Sequence, residues 1–316
     1  MHPTPLDRRT FVLAVAGAVA AAALASCRAA GGGASGAIDA AAADFERELA
    51  RLEGGGRLGV ALLDTADGTL RGHRLDERFA MCSTFKLALA ALVLERAATG
   101  GRPLDTRLRV AASDLQSHAP VTRAAVEEAQ ARGEEAAQLS LEQLAHAAQT
   151  TSDNGAANLL LRDVGGPAAF TAFCRAHGDA TTRLDRYEPE MNVVRVGDVR
   201  DTTTPRAMAQ LVARLLGGGL APAVRRTLRD WMIATTTGLD RVRRGLPPDW
   251  VAGDKTGTGG GDGMTVLCND VVWIEPPGRA PLVVAAYYDT GVVGDWPSDE
   301  MQGVLAEVGR LVARTP

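Results

Sequence analysis

Two lysines stand in a chain that writes every other strong cation as arginine: of 34 basic residues, only Lys86 and Lys255 are lysine. The first closes Ser83-Thr84-Phe85-Lys86, an S-x-x-K at the mouth of an apolar run that continues to Ala97. On a helix, residues three apart share a face, so hydroxyl and amine would meet. A serine hydroxyl is a weak nucleophile until a neighbouring base takes its proton. Lysine can be that base, because desolvation and nearby positive charge lower its pKa, whereas arginine stays protonated in a protein. Backbone N–H groups at the helix start would stabilise developing negative charge. Eight serines and two lysines would produce the motif roughly 0.05 times on shuffling, so it is informative without being decisive.

Three further stretches carry polar groups of the right kind. Ser152-Asp153-Asn154 falls between two helical patterns, Glu188-Pro189-Glu190-Met191-Asn192 in a long non-helical stretch, and Lys255-Thr256-Gly257 where a strand should lie. Each has a bland reading: a turn or helix cap for the first, a solvated loop for the second, an exposed strand end for the third. Their order and spacing together outweigh those readings.

The elements that must position these groups are strands at both ends of the chain and helices in the middle. Residues 40–55 read as a helix stopped by Gly54. Two strand patterns flank Asp67-Gly68, a tight-turn signal. Phe85–Ala97 is apolar nearly all round and predicts a buried helix. Ser140 and Gln143 form a capping box. Gly165-Gly166 ends the next helix, and Thr204-Pro205 opens another. Past Trp250 the pattern turns to strands, with a turn at Pro276-Pro277-Gly278, and a last helix runs from near Ser298 to about Ala313. This is α+β organisation. It predicts an antiparallel sheet built from residues 40–82 and 233–316, flanked by terminal helices, with an all-α domain over 83–232 inserted and the active site between them.

Composition narrows the function. The 316 residues are 46% hydrophobic and 23% charged, enough for a large core. A net charge of −4 and 4% aromatic residues argue against a nucleic-acid partner. The N-terminus reads as an export signal over residues 1–27: Arg8-Arg9 and Phe11 precede an apolar run too short to span a bilayer. The paired arginines resemble a twin-arginine signal. Leu24-Ala25-Ser26-Cys27 resembles a lipoprotein box, which implies lipidation of Cys27 and a membrane tether; cleavage after Ala25 and release is the alternative. Residues 28–39 read as a flexible Gly/Ala/Ser tether. Neither the four cysteines nor the five histidines show metal-binding spacing, so no metal or other cofactor is expected.

The four motifs stand in the order found in the class A serine β-lactamases, S-T-F-K, S-D-N, E-P-E-x-N and K-T-G, and the chain resembles that family, part of the penicillin-binding protein and serine β-lactamase superfamily, over roughly residues 40–316. The resemblance implies a β-lactamase/transpeptidase-like fold, a monomer, a periplasmic or otherwise extracytoplasmic location, antibiotic resistance as the outcome, and a small-molecule β-lactam substrate. It implies that Ser83 attacks the lactam carbonyl, with Lys86 and Glu188 as candidate bases. It gives Ser152 the proton relay to the lactam nitrogen, with Lys255 beside it. Asn154 would bind the substrate's side-chain amide, and Lys255, Thr256, Gly257 and Thr258 would line the substrate carboxylate and oxyanion sites. Asn192 would hold the hydrolytic water with Glu188. Arg241 falls where some members bind the carboxylate, and His118 at the pocket mouth. Arg186 and Asp201 would close the neck of an omega loop, and Glu188-Pro189 matches a cis position.

Two departures stand out. Cys82 resembles a cysteine that carbapenem-hydrolysing members pair with one just after K-T-G, but Gly259 stands there. The stretch from Gly259 to Asp270 is also longer than the family pattern, which bears on the pocket edge and on cephalosporin preference. Three other readings remain: a D,D-carboxypeptidase that penicillin inhibits, a non-catalytic binder of β-lactams or cell-wall peptides, and a cysteine hydrolase using Cys82. Glu188 and Asn192 discriminate against the first, because deacylation needs a positioned base and water.

Overall fold

A computed structural model of the chain describes residues 43–193 and 197–315. The predicted export signal, Cys27 and the tether lie outside the described residues. Residues 46–316 form one compact unit; of the preceding unit only residues 43–45, the first turn of helix α1 (residues 43–52), are described. Among the described residues no helix is long and apolar enough to cross a membrane.

The N-terminal strand signals produce β1 (Arg57–Asp64) and β2 (Leu70–His73), joined through a turn in which Gly68 takes a positive φ. The C-terminal third supplies β7 (Val251–Gly261), β8 (Met264–Glu275) and β9 (Leu282–Val293). These five make one sheet in the order β2-β1-β9-β8-β7, antiparallel throughout, so the first strand lies between β2 and the last strand. That arrangement is the α+β sheet expected from strands at both ends of the chain.

Between the two sets of strands come α2 (Phe85–Ala98), α3 (Pro120–Ala131), α4 (Leu141–Thr150), α5 (Asn154–Val164), α6 (Gly166–Ala176), α7 (Pro205–Arg214) and α8 (Pro222–Ile233), and α9 (Asp299–Ala313) closes the chain. Helix α2 is the hub. Phe85 to Leu94 are all buried, and the helix contacts α4, α5, α6 and α8. A helix apolar all round can only be stable when surrounded; truncating one of its fully buried leucines would cost about 2–5 kcal/mol.

The capping signals act as expected. Ser140 and Gln143 close a reciprocal capping box on α4, Thr204 caps α7 through the Ala207 N–H, and Ser298 caps α9 through the Met301 N–H. Gly165, at φ 100°, ends α5; Gly166 belongs to α6 instead of to the stop. Two small ladders had no clear sequence signal: β3 (Phe79–Ala80) with β6 (Thr202–Thr203), and β4 (Arg107–Ala111) with β5 (Ala136–Ser140).

Candidate active site

Ser83 sits in a single 3-10 turn, Cys82–Thr84, that feeds α2 and packs on β7. Gly257 makes that packing feasible. A Cβ there would lie 2.6 Å from the Met81 carbonyl oxygen and 3.2 Å from the Cys82 Cβ, so a side chain on the K-T-G glycine would push the serine turn away. Cys82 itself holds φ 44°, a strained value for a non-glycine residue next to a reactive group.

Four motifs meet here. Lys86 Nζ donates to Ser83 Oγ at 2.8 Å, to the Ser152 carbonyl at 2.9 Å and to Asn154 Oδ1, and lies 3.1 Å from Glu188 Oε1. Ser83 Oγ in turn donates to Glu188 Oε1 at 3.2 Å. Lys255 Nζ donates to Ser152 Oγ at 2.9 Å, and Lys86 Nζ reaches the same oxygen at 3.5 Å, so the Ser152 hydroxyl lies between both amines. Both lysines are completely buried. Burial lowers the pKa of Lys86, against an opposing pull from Glu188. Burial also lowers Lys255 well below the ordinary lysine value, and the nearby positive charge of Lys86 adds to it.

Each supporting loop has its own lock. Ser152 takes φ 59°, which turns its hydroxyl into the cleft. Asp153 is fully buried; it caps α5 through the Ala156 N–H and accepts from the N–H groups of Val121 and Thr122. The Asn154 N–H donates to the His118 carbonyl at 2.8 Å, while the exposed His118 ring donates to the Thr151 carbonyl. Glu188 is 2% exposed. Its backbone is clamped by Asn158, which accepts from the Glu188 N–H at 3.0 Å and donates to its carbonyl at 2.8 Å. Asn192 Nδ2 donates to Glu188 Oε2 at 2.5 Å. The Glu188–Pro189 bond is cis. At the loop neck, Arg186 Nε pairs with the buried Asp201 at 2.6 Å, and Asp201 also accepts the backbone N–H groups of Asp185 and Arg186. The Asp201 carboxylate is buried in this network, while Arg186 remains partly exposed.

The other face of β7 builds the cationic end. Alternation along a strand sends Thr256 and Thr258 opposite to Lys255. Arg241, 3% exposed, donates to the Gly257 and Asn269 carbonyls at 3.0 and 2.8 Å and to Thr258 Oγ1 at 2.7 Å. Thr237 Oγ1 lies 2.8 Å from Thr256 Oγ1. Deeper, Asp254 and Asp270 are both fully buried. Burial raises Asp254 to about 6 despite pairing with Arg243, and raises Asp270 well above the usual range, Asp254's charge adding to the effect.

A cavity of about 540 Å³ is lined by Ser83, His118, Ser152, Asn154, Asn192, Thr237, Arg241, Thr256 and Thr258, so most of the residues singled out in the sequence share one wall. Lys86, Glu188, Lys255 and Gly257 lie just behind it. Sequence reasoning missed Thr237, Asn158 and the far rim at Asp262, Met264, Asp295, Trp296 and Gln302. Asn158 had a signal: a lone amide in the apolar run Ala156–Leu161, one turn after Asn154. Cys82, Cys174 and Cys268 are free and buried. Cys82 and Cys268 lie toward opposite faces of the sheet, since Cys268 follows Leu267, whose side chain approaches Gly259 on the Cys82 side. Burial, with Glu188's charge adding to it, drives the Cys82 thiol far above its ordinary pKa, which removes the thiolate a cysteine hydrolase needs.

Known proteins resemble this chain in sequence and fold. The family model described as "Beta-lactamase enzyme family" matches residues 42–315. Beta-lactamase L2 of Stenotrophomonas maltophilia is 46% identical, with 98% of this chain and 99% of that one covered. A beta-lactamase of Streptomyces albus G is 42% identical across 100% and 99%. Among solved structures, an ancestral class A beta-lactamase matches with a TM-score of 0.78 and 50% identity, over 85% of this chain and 98% of that one. A putative class A beta-lactamase from Rhodopseudomonas palustris gives 0.78 and 48%, with the same two coverages. Sequence and fold that match relatives along most of the chain, together with the Ser83–Lys86–Glu188 cluster found here, lead to one assignment: the chain belongs to the beta-lactamase enzyme family, among its class A serine members.

Proposed function

We propose that this β-lactam hydrolase opens the lactam amide of penicillins and cephalosporins through an acyl-enzyme on Ser83, conferring β-lactam resistance. The observation that carries the reading is the shared contact of Ser83 Oγ with Lys86 at 2.8 Å and Glu188 at 3.2 Å. The proton can leave Ser83 directly for Glu188. It can also pass to Lys86 once that amine has given its own proton to Glu188 across 3.1 Å. Both routes end with Glu188 protonated, Lys86 cationic and Ser83 bonded to the carbonyl carbon. The backbone N–H groups of Ser83 and Thr258 receive the carbonyl oxygen's charge.

As the ring C–N bond breaks, the lactam nitrogen takes a proton from Ser152, which Lys86 replenishes. Lys255 fixes the Ser152 hydroxyl and, with Thr237, Thr256, Thr258 and Arg241, attracts the substrate carboxylate. Glu188 returns its proton to Lys86 and is again a base. It then deprotonates the water held with Asn192, which attacks the ester; as the ester C–O bond breaks, Lys86 gives a proton to Ser83 Oγ and takes one back from Glu188, restoring all three groups. Asn154 binds the acylamino carbonyl. Glu188 with Asn192 favours hydrolysis over the carboxypeptidase reading, in which the acyl-enzyme would persist. The cleft is read as the junction between the sheet domain of residues 40–82 and 233–316 and the helical insertion. Export by the twin-arginine route, tethering through Cys27, and a monomeric, periplasmic or extracytoplasmic state belong to the same proposal.

The test is turnover of a chromogenic cephalosporin by purified residues 28–316. Many turnovers per molecule are expected. A single stoichiometric burst would sink the hydrolase reading and favour the carboxypeptidase.

A further inference from the structure

Trp296 is 68% exposed, the most exposed large apolar side chain among the described residues, and it lines the cleft beside Gly260, Asp262, Met264 and Asp295. An indole left in water at a binding cleft calls for a ligand-side explanation. Its position is built by two backbones. The glycine-rich β7–β8 turn is tied to the segment after β9 by Gly261 N–H to the Gly294 carbonyl at 2.8 Å and Gly294 N–H to the Met264 carbonyl at 3.3 Å. The approach needs glycine: a Cβ at Gly260 would stand 2.7 Å from the Gly294 carbonyl oxygen and 3.0 Å from that of Asp295. The long turn and the Trp296 segment therefore form one wall.

The wall faces a definite part of the substrate. Arg241, Thr237, Thr256 and the Thr258 hydroxyl form the carboxylate end. From the carboxylate end the β7 backbone runs through Gly259 and Gly260 to the β7–β8 turn, against which the Trp296 segment packs, beyond the place where Asn154 binds the acylamide. We propose that Trp296 is a specificity-determining residue, its indole stacking on a planar aryl or heteroaryl ring at the end of the substrate's acylamino side chain. This rests on the reading of the cleft as the β-lactam site.

The experiment compares kcat and KM for the parent, Trp296→Ala and Trp296→Phe on benzylpenicillin and on 6-aminopenicillanic acid, which has the same nucleus without the acyl group. In the alanine variant kcat/KM for benzylpenicillin should fall about fivefold, mainly through KM, and recover in the phenylalanine variant. The unacylated nucleus should change less than twofold. Gly260→Ala, which shifts the wall without touching the ring, should show the same selective loss. Equal losses on both substrates, or none, would overturn the assignment. A parent that turns over neither substrate would defeat the hydrolase reading instead. Quenching of tryptophan fluorescence by a nitrophenylacetyl penicillin then decides alone: quenching that survives intact in Trp296→Phe overturns the stacking.

Discussion

At the floor of the cleft, Ser83, Lys86, Ser152, Glu188 and Lys255 are joined side chain to side chain, and four of the five are buried. At the rim, Gly259, Gly260, Gly294 and Asp295 are positioned by backbone meeting backbone, and the indole of Trp296 is left in solvent. Chemistry that moves protons between fixed atoms tolerates little displacement, whereas recognition of variable substituents needs surface. The floor also requires particular residue types, while the rim requires the absence of side chains.

The largest effect that could break this contrast is at the floor. Lys86→Arg keeps a cation but removes a group able to accept the serine proton, so kcat/KM should fall about 10³-fold; parent-like steady-state rates would show that the amine is only a charge. Next comes the lock on the Glu188 loop. Asp201→Ala removes the acceptor for Arg186 Nε and for two backbone N–H groups, and about 2 kcal/mol of stability should be lost in urea denaturation; a loss below about 0.5 kcal/mol would mean the pair is a surface bridge after all.

The rim should respond more gently. The Gly259 Cβ position is 3.1 Å from Cys82 Sγ, close to the roughly 3 Å that disulfide geometry sets between one half-cystine's Cβ and the other's sulfur. Gly259→Cys should therefore oxidise spontaneously, titrate one free thiol fewer than the parent and stabilise by about 2 kcal/mol. One free thiol more than the parent, with both residues still reduced, would place Gly259 farther from Cys82. Arg241→Ala should raise KM about tenfold with a smaller change in kcat; a kcat loss as large as that of Lys86→Arg would move Arg241 from rim to floor.

The same division explains what could be read in advance. S-T-F-K, S-D-N, E-P-E-x-N and K-T-G were legible because proton transfer restricts residue identity and helix or strand geometry restricts spacing. The sheet could be inferred from strand patterns at both ends of the chain, and α2 from an apolar run that only burial could stabilise. The β3–β6 and β4–β5 ladders were not legible; two to five residues leave no periodicity to detect. Thr237 was hidden in a threonine run whose partner, Thr256, lies 19 positions away. Trp296 was overlooked because its role depends on an approach between glycines of two different loops. The excess glycines after K-T-G were visible, but not what they would touch. For Cys82, the sequence showed that the partner was missing, and the structure shows that the space for it remains.

The central claim is that Glu188 deacylates an ester formed on Ser83. Glu188→Ala, mixed with benzylpenicillin and read by intact mass spectrometry, tests it most directly. With Glu188 gone, the buried Lys86 amine loses the interaction that raises its pKa and is left as the acylation base, so the expected result is a slowly formed stoichiometric adduct of one whole penicillin that persists for minutes and disappears when Ser83→Ala is added. Turnover of penicillin at the parent rate by Glu188→Ala, with no adduct, would contradict it.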